Sequence, residues 1–212
     1  MKLEIISESE ANAAALRILI PAIVGHPVEI MNTVKLRSGG WSGVLTIVPK
    51  AIASLYFRPD IDGLVIVVDS DDTPVHTAAH ETAFDPKCRA CDILQVRAES
   101  LAQFKPRPVG KPFIVAVGLA VLTIEGWLLC GKDVHATEAH FARQLVAKPK
   151  LRHLRPDLKR RAYGTDIPSR EIEKAKAIEH ATRLAGSLDQ LRLHFPEGFG
   201  LLERTLAPLR QV

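Results

Sequence analysis

The sequence predicts an α/β protein, Rossmann-like in outline, with a largely parallel sheet flanked by helices and a helical C-terminal part. Two observations lead to this prediction. Short apolar runs alternate with helix-like segments up to about residue 118, and the rest of the chain has no further strand pattern. The runs "GLVIVV" (63–68) and "PFIVAV" (112–117) are too uniformly apolar for half-exposed strands. They are typical of central strands that are covered on both faces.

The predicted elements follow one another in a regular order. Strands are predicted at 3–7, 28–34, 63–68 and 112–117. A Gly-rich basic loop is predicted at 35–43. Helical segments are predicted at 10–25, between this loop and Tyr56, and in "LAVLTIEGWLLC", "ATEAHFARQLVA", "SREIEKAKAIEHATRLAG" and "FGLLERTLAPL". Ser169 and Gly186 are typical helix-capping residues for the longest of these. We therefore divide the chain into an α/β core at 1–118 and a helical part at 119–212 that packs on the same core.

Length and composition limit the class of protein. A chain of 212 residues with 47% hydrophobic residues is long enough to bury one core. The N-terminal residues lack the pattern of an export signal, and three cysteines fit a reduced compartment, so we expect a cytoplasmic protein. The apolar stretch at 112–130 contains Glu125 and two glycines and divides into a strand and a helix. These features argue against a membrane span.

Positive charge is concentrated in one segment. Between residues 148 and 161, seven Lys and Arg residues face one Asp, which gives +6, so the rest of the chain sums to −2 within the net +4. Such a segment suits a partner with phosphates, and a solvated helical face is the alternative. Its prolines make 148–168 the candidate for a linker or mobile arm. We expect Lys159, Arg160 and Arg161 to contact nucleic-acid backbone without reading sequence.

A Gly-rich loop offers a second set of phosphate contacts. Lys35 and Arg37 precede a Ser-Gly-Gly sequence, whose glycines let backbone amides approach an anion. The Gly-Lys-Ser/Thr ending of a P-loop is absent, so we expect no nucleotide hydrolysis by this chain alone. Trp41 is a candidate for stacking on a base, and burial is the alternative.

Acidic side chains follow two of the predicted strands. Glu8 follows the first strand, and Asp69 and Asp71 follow the most apolar one. The carboxyl ends of parallel strands meet at one edge of a sheet, and alternation in an extended chain would point Asp69 and Asp71 the same way. Crowded carboxylates repel unless a hard cation binds them, so the sequence predicts a Mg²⁺ or Mn²⁺ site suited to phosphodiester chemistry. Helix capping by Asp72 or Thr73 is the alternative.

The segments "IISESEANAAAL" (5–16) and "LVIVVDSDD" (64–72) together resemble the Toprim fold of topoisomerases, primases and OLD-type nucleases. In that fold one strand ends in a glutamate and a later strand in an Asp-x-Asp pair. The resemblance places these metal ligands on Glu8, Asp69 and Asp71.

Three further segments extend this resemblance over nearly the whole chain. "LTIEGWLLC", "LKRRAYG" and "FGLLERTL" are similar to an uncharacterised bacterial Toprim-like family often met beside OLD-type ATPases. The resemblance implies a nuclease, a hydrolase of phosphodiesters, acting in phage defence with an ATPase partner protein. It also implies a metal-ligand or acid-base role for Glu125, for which an ordinary helix acid paired with a base is the alternative.

Two positions depart from the Toprim pattern. Toprim proteins usually have a glycine after the glutamate and often an acid a few residues later, whereas Ser9 and Asn12 stand at these places. The departures bear on catalytic competence more than on fold. The chain has only two tyrosines, Tyr56 and Tyr163, and neither is a convincing covalent nucleophile, which disfavours a topoisomerase.

A second set of metal-ligand residues follows the acidic exit. His76 and His80 are four residues apart, as on one face of a predicted helix, and Cys88 and Cys91 come after a short loop. Two His and two Cys are the ligand inventory of a closed, structural zinc site, which would staple the loop at 76–91. Unliganded core residues and a thiol-redox pair are the alternatives.

The sequence thus favours a Mg²⁺-dependent nuclease acting on nucleic acid. A non-catalytic Toprim-fold binding or scaffold module in a larger assembly is the main alternative. A phosphoryl-transfer enzyme with a small substrate is a further one. The sequence leaves open whether the chain forms a homo-oligomer.

Overall fold

A four-stranded parallel sheet lies at the centre of the computed structural model, which describes residues 1–31, 34, 40–107, 112–148 and 150–211. The strands are β1 (Lys2–Ser7), β2 (Glu29–Met31), β3 (Gly63–Asp69) and β4 (Ile114–Ala120). They lie in the order β2-β1-β3-β4, and each neighbouring pair is parallel. The predicted fold class, α/β with a parallel sheet flanked by helices, is confirmed.

Helices surround the sheet and fill most of the second half of the chain. They are α1 (Glu10–Val24), α2 (Gly40–Tyr56), α3 (Ala78–Thr82), α4 (Arg89–Ala102), α5 (Ile124–Leu129), α6 (Glu138–Ala147), α7 (Arg155–Tyr163), α8 (Arg170–Ala185), α9 (Leu188–His194) and α10 (Gly198–Leu206), with 3-10 turns at Arg152–Leu154 and Ala207–Gln211. Within the described ranges, none of these helices has the length and apolar character needed to cross a bilayer.

The position of β3 in the centre of the sheet explains why residues 63–68 form a continuous apolar run. All seven of its residues are buried, because β1 and β4 pair with it on either side and helices cover both faces. Val65 and Val67 pack in one apolar cluster with α1, α5 and α8. Leu64 and Ile66 pack in a second cluster with α2 and α4. Burial on both faces therefore fixes the strand in the middle of the sheet.

Capping residues mark the ends of α1 and α8. Ser9 begins α1, and its hydroxyl accepts a hydrogen bond from the Asn12 backbone N–H at 3.1 Å. Gly25 ends this helix with a φ of 83°, a conformation that favours glycine. Ser169 and Gly186 flank α8 as predicted. Helix α8 packs on α1, so the helical part contributes to the same apolar cluster as the α/β core.

Three parts of the structure differ from the sequence prediction. Strand β4 continues to Ala120, past the residue near which the helical part was expected to begin. Helix α4 was not among the predicted elements. The segment 148–168, predicted to be a linker or mobile arm, contains α7, whose Leu158 and Ala162 are buried in the core. The apolar residues between the basic ones give this segment a buried face that a linker lacks.

Helix α10 protects the edge of the sheet. The Thr205 hydroxyl accepts a hydrogen bond from the Val117 backbone N–H at 3.0 Å, and its oxygen lies 3.2 Å from the Val117 carbonyl oxygen. These contacts occupy backbone groups of β4 that an edge strand otherwise leaves exposed. At the start of α10, Gly198 lies directly against the backbone of β4, since a Cβ there would be 2.1 Å from the Leu119 carbonyl oxygen.

Substitution of the two α10 glycines is expected to give opposite results. Gly198→Ala forces the helix away from β4 and should lower the free energy of unfolding by about 1–3 kcal/mol, the usual cost of overpacking. At Gly200 the new Cβ meets only the end of the flexible Arg204 side chain, at 3.2 Å. Gly200→Ala should therefore raise stability by about 0.5–1 kcal/mol. Urea denaturation measures both, and equal stability of the two variants would contradict this packing.

The Glu138 side chain of α6 also contacts the start of α10. Its two carboxylate oxygens accept hydrogen bonds from the Glu197 and Gly198 backbone N–H groups, at 2.9 and 2.8 Å. Burial nevertheless raises the pKa of this carboxyl from 4.5 to about 7. The folded chain therefore keeps a proton that the unfolded chain has already released.

Stability is expected to fall with rising pH because of this carboxyl. The contribution of protonated Glu138 is fully present below its ordinary pKa of 4.5 and is lost as the pH rises through about 7. In Glu138→Gln this fall should be smaller, whatever the absolute stability of the variant. Denaturant titrations between about pH 5 and about pH 8 measure it. Identical pH slopes for the two chains would contradict the assignment.

Candidate functional site

Three carboxylates that follow three neighbouring strands lie near one another at the carboxyl edge of the sheet, although among the described residues they are not a group whose ligand atoms gather closely enough to hold a metal ion. Glu8 directly follows β1, Asp69 ends β3, and Glu125 lies in the first turn of α5, which follows β4. The Glu8 Oε1 atom accepts a hydrogen bond from the Asp69 backbone N–H at 3.0 Å. Asp69 and Glu125 are both buried. We call Glu8, Asp69 and Glu125 the acidic edge.

Asp69 carries the strongest electrostatic effect at the acidic edge. Burial, followed by the negative charges of Glu8 and Glu125, raises its pKa well above the ordinary value of 3.8. Its Oδ1 atom accepts a hydrogen bond from the Ile124 backbone N–H at 3.1 Å, which fixes the start of α5. Among the described residues, none donates a hydrogen bond to Asp69 Oδ2 or Glu8 Oε2. One carboxylate oxygen of each of these two side chains therefore has no hydrogen-bond donor in this part of the chain.

Asp71 does not follow the extended-chain prediction. Strand β3 ends at Asp69, and Asp71 lies in a turn with a positive φ of 53°. The alternation that would point both side chains the same way is therefore wrong. The Asp71 carboxylate forms ion pairs with Arg89, at 2.6 Å, and with Arg155 of α7. In this arrangement it stabilises two arginines beside the acidic edge.

The alternative explanation of the acids as helix caps is also wrong. The residues after Asp71 form a turn and an extended stretch, and the next helix, α3, begins only at Ala78. Asp72 instead accepts a hydrogen bond from the Leu151 backbone N–H at 2.6 Å. It thereby ties the segment before α7 to the strand exit.

Three residues near the acidic edge were not among the site residues predicted from the sequence. Arg89 donates a hydrogen bond to the Asp69 carbonyl oxygen at 2.7 Å. The positive charge of Arg155 lies near Asp69 and offsets part of the rise in the pKa of that carboxyl. Tyr163 is buried near Glu125, and burial followed by the charge of Glu125 raises the pKa of this phenol. Of these three residues, only Arg155 lies in a segment, the basic run at 148–161, that the sequence marks as a candidate for a functional role.

Trp41 lies close to this group but does not present a free ring. The Arg89 guanidinium lies over the indole, 4.8 Å from the ring centroid. The indole N–H donates a hydrogen bond to Asp92 Oδ2 at 3.2 Å. The indole is half-buried, so neither full burial nor an open stacking surface describes it.

The predicted phosphate contacts are paired within the chain. Lys159 contacts Glu173 at 2.7 Å and Arg160 contacts Asp166 at 3.4 Å. Arg161 forms ion pairs with two aspartates, Asp133 and Asp157. Exposed ion pairs of this kind are weak and exchange readily, so they leave these cations accessible to a polyanion. Lys35 and Arg37 lie outside the described residues.

A second, compact group of ligand atoms lies next to the acidic edge. One ligand atom from each of four side chains lies within 4.8 Å of all the others: His76, His80, Cys88 and Cys91. We call these the cysteine-histidine cluster. It is the group in the described part of the chain whose ligand atoms gather closely enough to hold a metal ion. The sequence predicted this set of four residues.

The local structure of the cluster differs from the prediction. His76 lies in an extended stretch before α3, so the two histidines do not share a helix face. Cys88 is the N-cap of α4, and Cys91 lies in its first turn. The Nδ1 atom of His76 is 3.5 Å from the Cys88 sulfur and 3.7 Å from the Cys91 sulfur. The start of α4 therefore places both thiols against the histidines.

The chemistry of the cluster fits a metal ion. Burial and the neighbouring His80 lower the pKa of His76, which favours the neutral imidazole that binds metals. Burial raises the pKa of the Cys88 thiol to about 12, so a thiolate forms here only if a cation compensates its charge. His80 Nδ1 is buried and has no hydrogen-bond partner among the residues that the structure describes, and its Nε2 lies 3.7 Å from Asp85 Oδ2. A carboxylate behind a histidine is the usual support of a metal ligand.

No protein-family model matches this chain, and no curated protein or solved structure matches it. The parallel α/β fold and the two groups of side chains are therefore described from this chain alone. The similarity to Toprim proteins stays a prediction from the sequence.

Proposed function

We propose that the chain is a Mg²⁺- or Mn²⁺-dependent phosphodiesterase that cleaves nucleic acid. The observation that carries the proposal is the convergence of Glu8, Asp69 and Glu125 at the carboxyl edge of a parallel sheet. Functional side chains gather at this edge in open α/β proteins. Three carboxylates in a partly buried place repel one another, and a divalent cation relieves that repulsion.

The residues of the acidic edge have the donor atoms that this cation prefers. Glu8 and Asp69 would hold it, since each has one carboxylate oxygen without a hydrogen-bond donor among the described residues and oxygen ligands suit Mg²⁺. Glu125 would accept a proton from the attacking water, and Tyr163 lies near enough to its carboxylate to influence it electrostatically. Asp71 would join the ligands on leaving Arg89 and Arg155. A bound cation would lower the pKa of a water molecule and offset charge on the leaving oxygen.

Two arginines supply the positive charge that a phosphodiester needs. Arg89 and Arg155 both reach the Asp71 carboxylate from different elements. A carboxylate and a phosphate present similar pairs of oxygens to a guanidinium. If Asp71 bound the metal, the guanidinium groups of Arg89 and Arg155 would be available to a phosphate. Lys159, Arg160 and Arg161 would contact the flanking backbone.

We propose zinc as the metal of the cysteine-histidine cluster. Two neutral imidazoles and two thiolates are a common tetrahedral set for Zn²⁺, and four protein ligands leave no position for a substrate. Its role would be structural. It would join the turn that carries Asp71 to the start of α4, which carries Arg89. The metal would thereby fix the positions of Asp71 and Arg89 beside the acidic edge.

The wider biological role rests on the similarity to Toprim proteins found in the sequence. We propose that the chain works in the cytoplasm, in bacterial phage defence, beside an ATPase that regulates its access to nucleic acid. The absence of a P-loop sequence in this chain agrees with a separate source of nucleotide hydrolysis.

A cleavage assay on the zinc-loaded protein tests the proposed activity. Single- and double-stranded DNA and RNA are incubated with Mg²⁺, with Mn²⁺ or with a chelator. We expect cleavage with either cation and none with the chelator. Folded, zinc-loaded protein that cleaves no substrate with either cation would overturn autonomous catalysis.

A non-catalytic binding module is the second candidate, and two observations favour it. The Asp71 carboxylate is already neutralised by two arginines. Ser9 and Asn12, which depart from the Toprim pattern, hydrogen-bond to each other at 2.7 Å and stabilise the start of α1. Both arrangements serve the fold without a metal. Nucleic-acid binding without cleavage would favour this candidate.

A further inference from the structure

A pocket of about 580 Å³ opens between α4 and α10, beside the cysteine-histidine cluster. Small-molecule sites usually have volumes of about 300–1,000 Å³. His80 and Cys91 form part of its wall, whereas Glu8, Asp69 and Glu125 do not line it. The pocket is therefore separate from the acidic edge, and the function proposed above does not use it.

Arg97 gives the pocket an uncompensated positive charge. It is half-buried on α4, and no acid or hydrogen-bond acceptor among the described residues pairs with it. Burial alone lowers its pKa, whereas nearby carboxylates raise the pKa of Arg161 and Arg192. A partly desolvated guanidinium without an acid is costly unless an anion binds it.

Arg204 of α10 brings a second cation to the same wall. It contacts Glu81 at 3.2 Å and Glu197 at 3.5 Å. Glu81 also lines the pocket, and because it pairs with Arg204, Arg97 is the lining cation that has no carboxylate partner among the described residues. Guanidinium groups from two different elements form a common type of phosphate site.

One part of the pocket wall is apolar and includes an exposed aromatic ring, whereas Thr82, Gln95 and Thr205 line it with polar groups. Phe84 lines the pocket and is 51% exposed, although large aromatic side chains are usually buried. Leu94, Leu201 and Pro208 lie on the same wall. An exposed ring next to a cation suits a ligand that has a flat organic part and a phosphate.

We propose that this pocket binds a mononucleotide-sized organic phosphate, with the phosphate at Arg97 and the organic part against Phe84. Calorimetry with AMP as the probe tests it, on zinc-loaded full-length protein. Loss of one charged contact should weaken AMP binding about 10-fold in Arg97→Gln. Phe84→Ala, at an exposed position that the fold does not need, should weaken AMP binding but not the binding of inorganic phosphate. Arg170→Gln, an exposed arginine on α8, is the matched control and should bind AMP as the unmodified chain does.

Three results would overturn the proposal. The first is no AMP binding to the zinc-loaded chain. The second is AMP binding that Arg97→Gln and Phe84→Ala leave unchanged. The third is AMP binding that Asp69→Asn abolishes, since this would assign the nucleotide to the acidic edge. Failure of nucleic-acid cleavage alone leaves this test unaffected, because the pocket does not include the acidic edge.

Discussion

The substitution Asp69→Asn is expected to abolish metal-dependent cleavage of nucleic acid. Loss of a partner that only supports a metal ligand costs about 10- to 100-fold in affinity or activity, so loss of the ligand itself should exceed about 100-fold. The fold should be retained, because asparagine keeps an oxygen for the Ile124 N–H. Burial and the charges of Glu8 and Glu125 favour the neutral form of Asp69. The metal-free variant should therefore be at least as stable as the unmodified chain.

Asp72→Asn is the matched control for this experiment. It removes a charge three residues away, and the asparagine can still accept the hydrogen bond from Leu151. Cleavage should persist in this variant. Equal loss of cleavage in both variants, or full cleavage in Asp69→Asn, would contradict the assignment of the metal to Asp69. Circular dichroism and thermal unfolding show whether either variant has lost its fold.

Removal of metal from the cysteine-histidine cluster is expected to give the largest loss of stability. A metal ion present at about 1,000 times its Kd stabilises the folded state by about 4 kcal/mol. For a chain of this size that is a shift in Tm of about 8–16 °C. Cys91→Ser should cause a loss of the same order, because it removes one of the four ligands. Elemental analysis and thermal unfolding, with and without chelator, measure metal content and Tm.

Cys130→Ala is the matched control for the cluster. Cys130 is buried at the end of α5, and it is not one of the four clustered residues. This variant should keep its zinc and its chelator-sensitive Tm. Purified protein that holds no zinc, and whose Tm neither chelator nor Cys91→Ser changes, would contradict a structural metal.

Local patterns in the sequence were sufficient to predict the sheet. The residues of β3 are apolar at every position because both faces are covered, and this pattern is hard to confuse with an exposed element. The caps of α8 were also predictable, since Ser169 and Gly186 act within a few residues of the chain. The start of α4 has no such local signal, because the spacing of Cys88 and Cys91 is also typical of metal ligands on a loop, although Cys91 lies in the first turn of the helix.

The candidate site was predictable only in part. Glu8 and Asp69 lie together because parallel strands end at the same edge, which the sequence order implies. The direction of Asp71 depends on a backbone turn with positive φ that its neighbours do not encode. Arg155 is far from Asp71 in sequence, and their pairing depends on how α7 packs. Such long-range contacts have no local pattern.

Titration of Mn²⁺ into zinc-loaded protein tests the central claim most directly. Electron paramagnetic resonance reports free Mn²⁺, so binding is measured without any substrate. We expect saturable binding that Mg²⁺ competes for, that Cys130→Ala leaves unchanged, and that Asp69→Asn weakens by about 100-fold or more. Folded, zinc-loaded protein that binds neither Mn²⁺ nor Mg²⁺ would contradict a metal site at the acidic edge and favour the non-catalytic module.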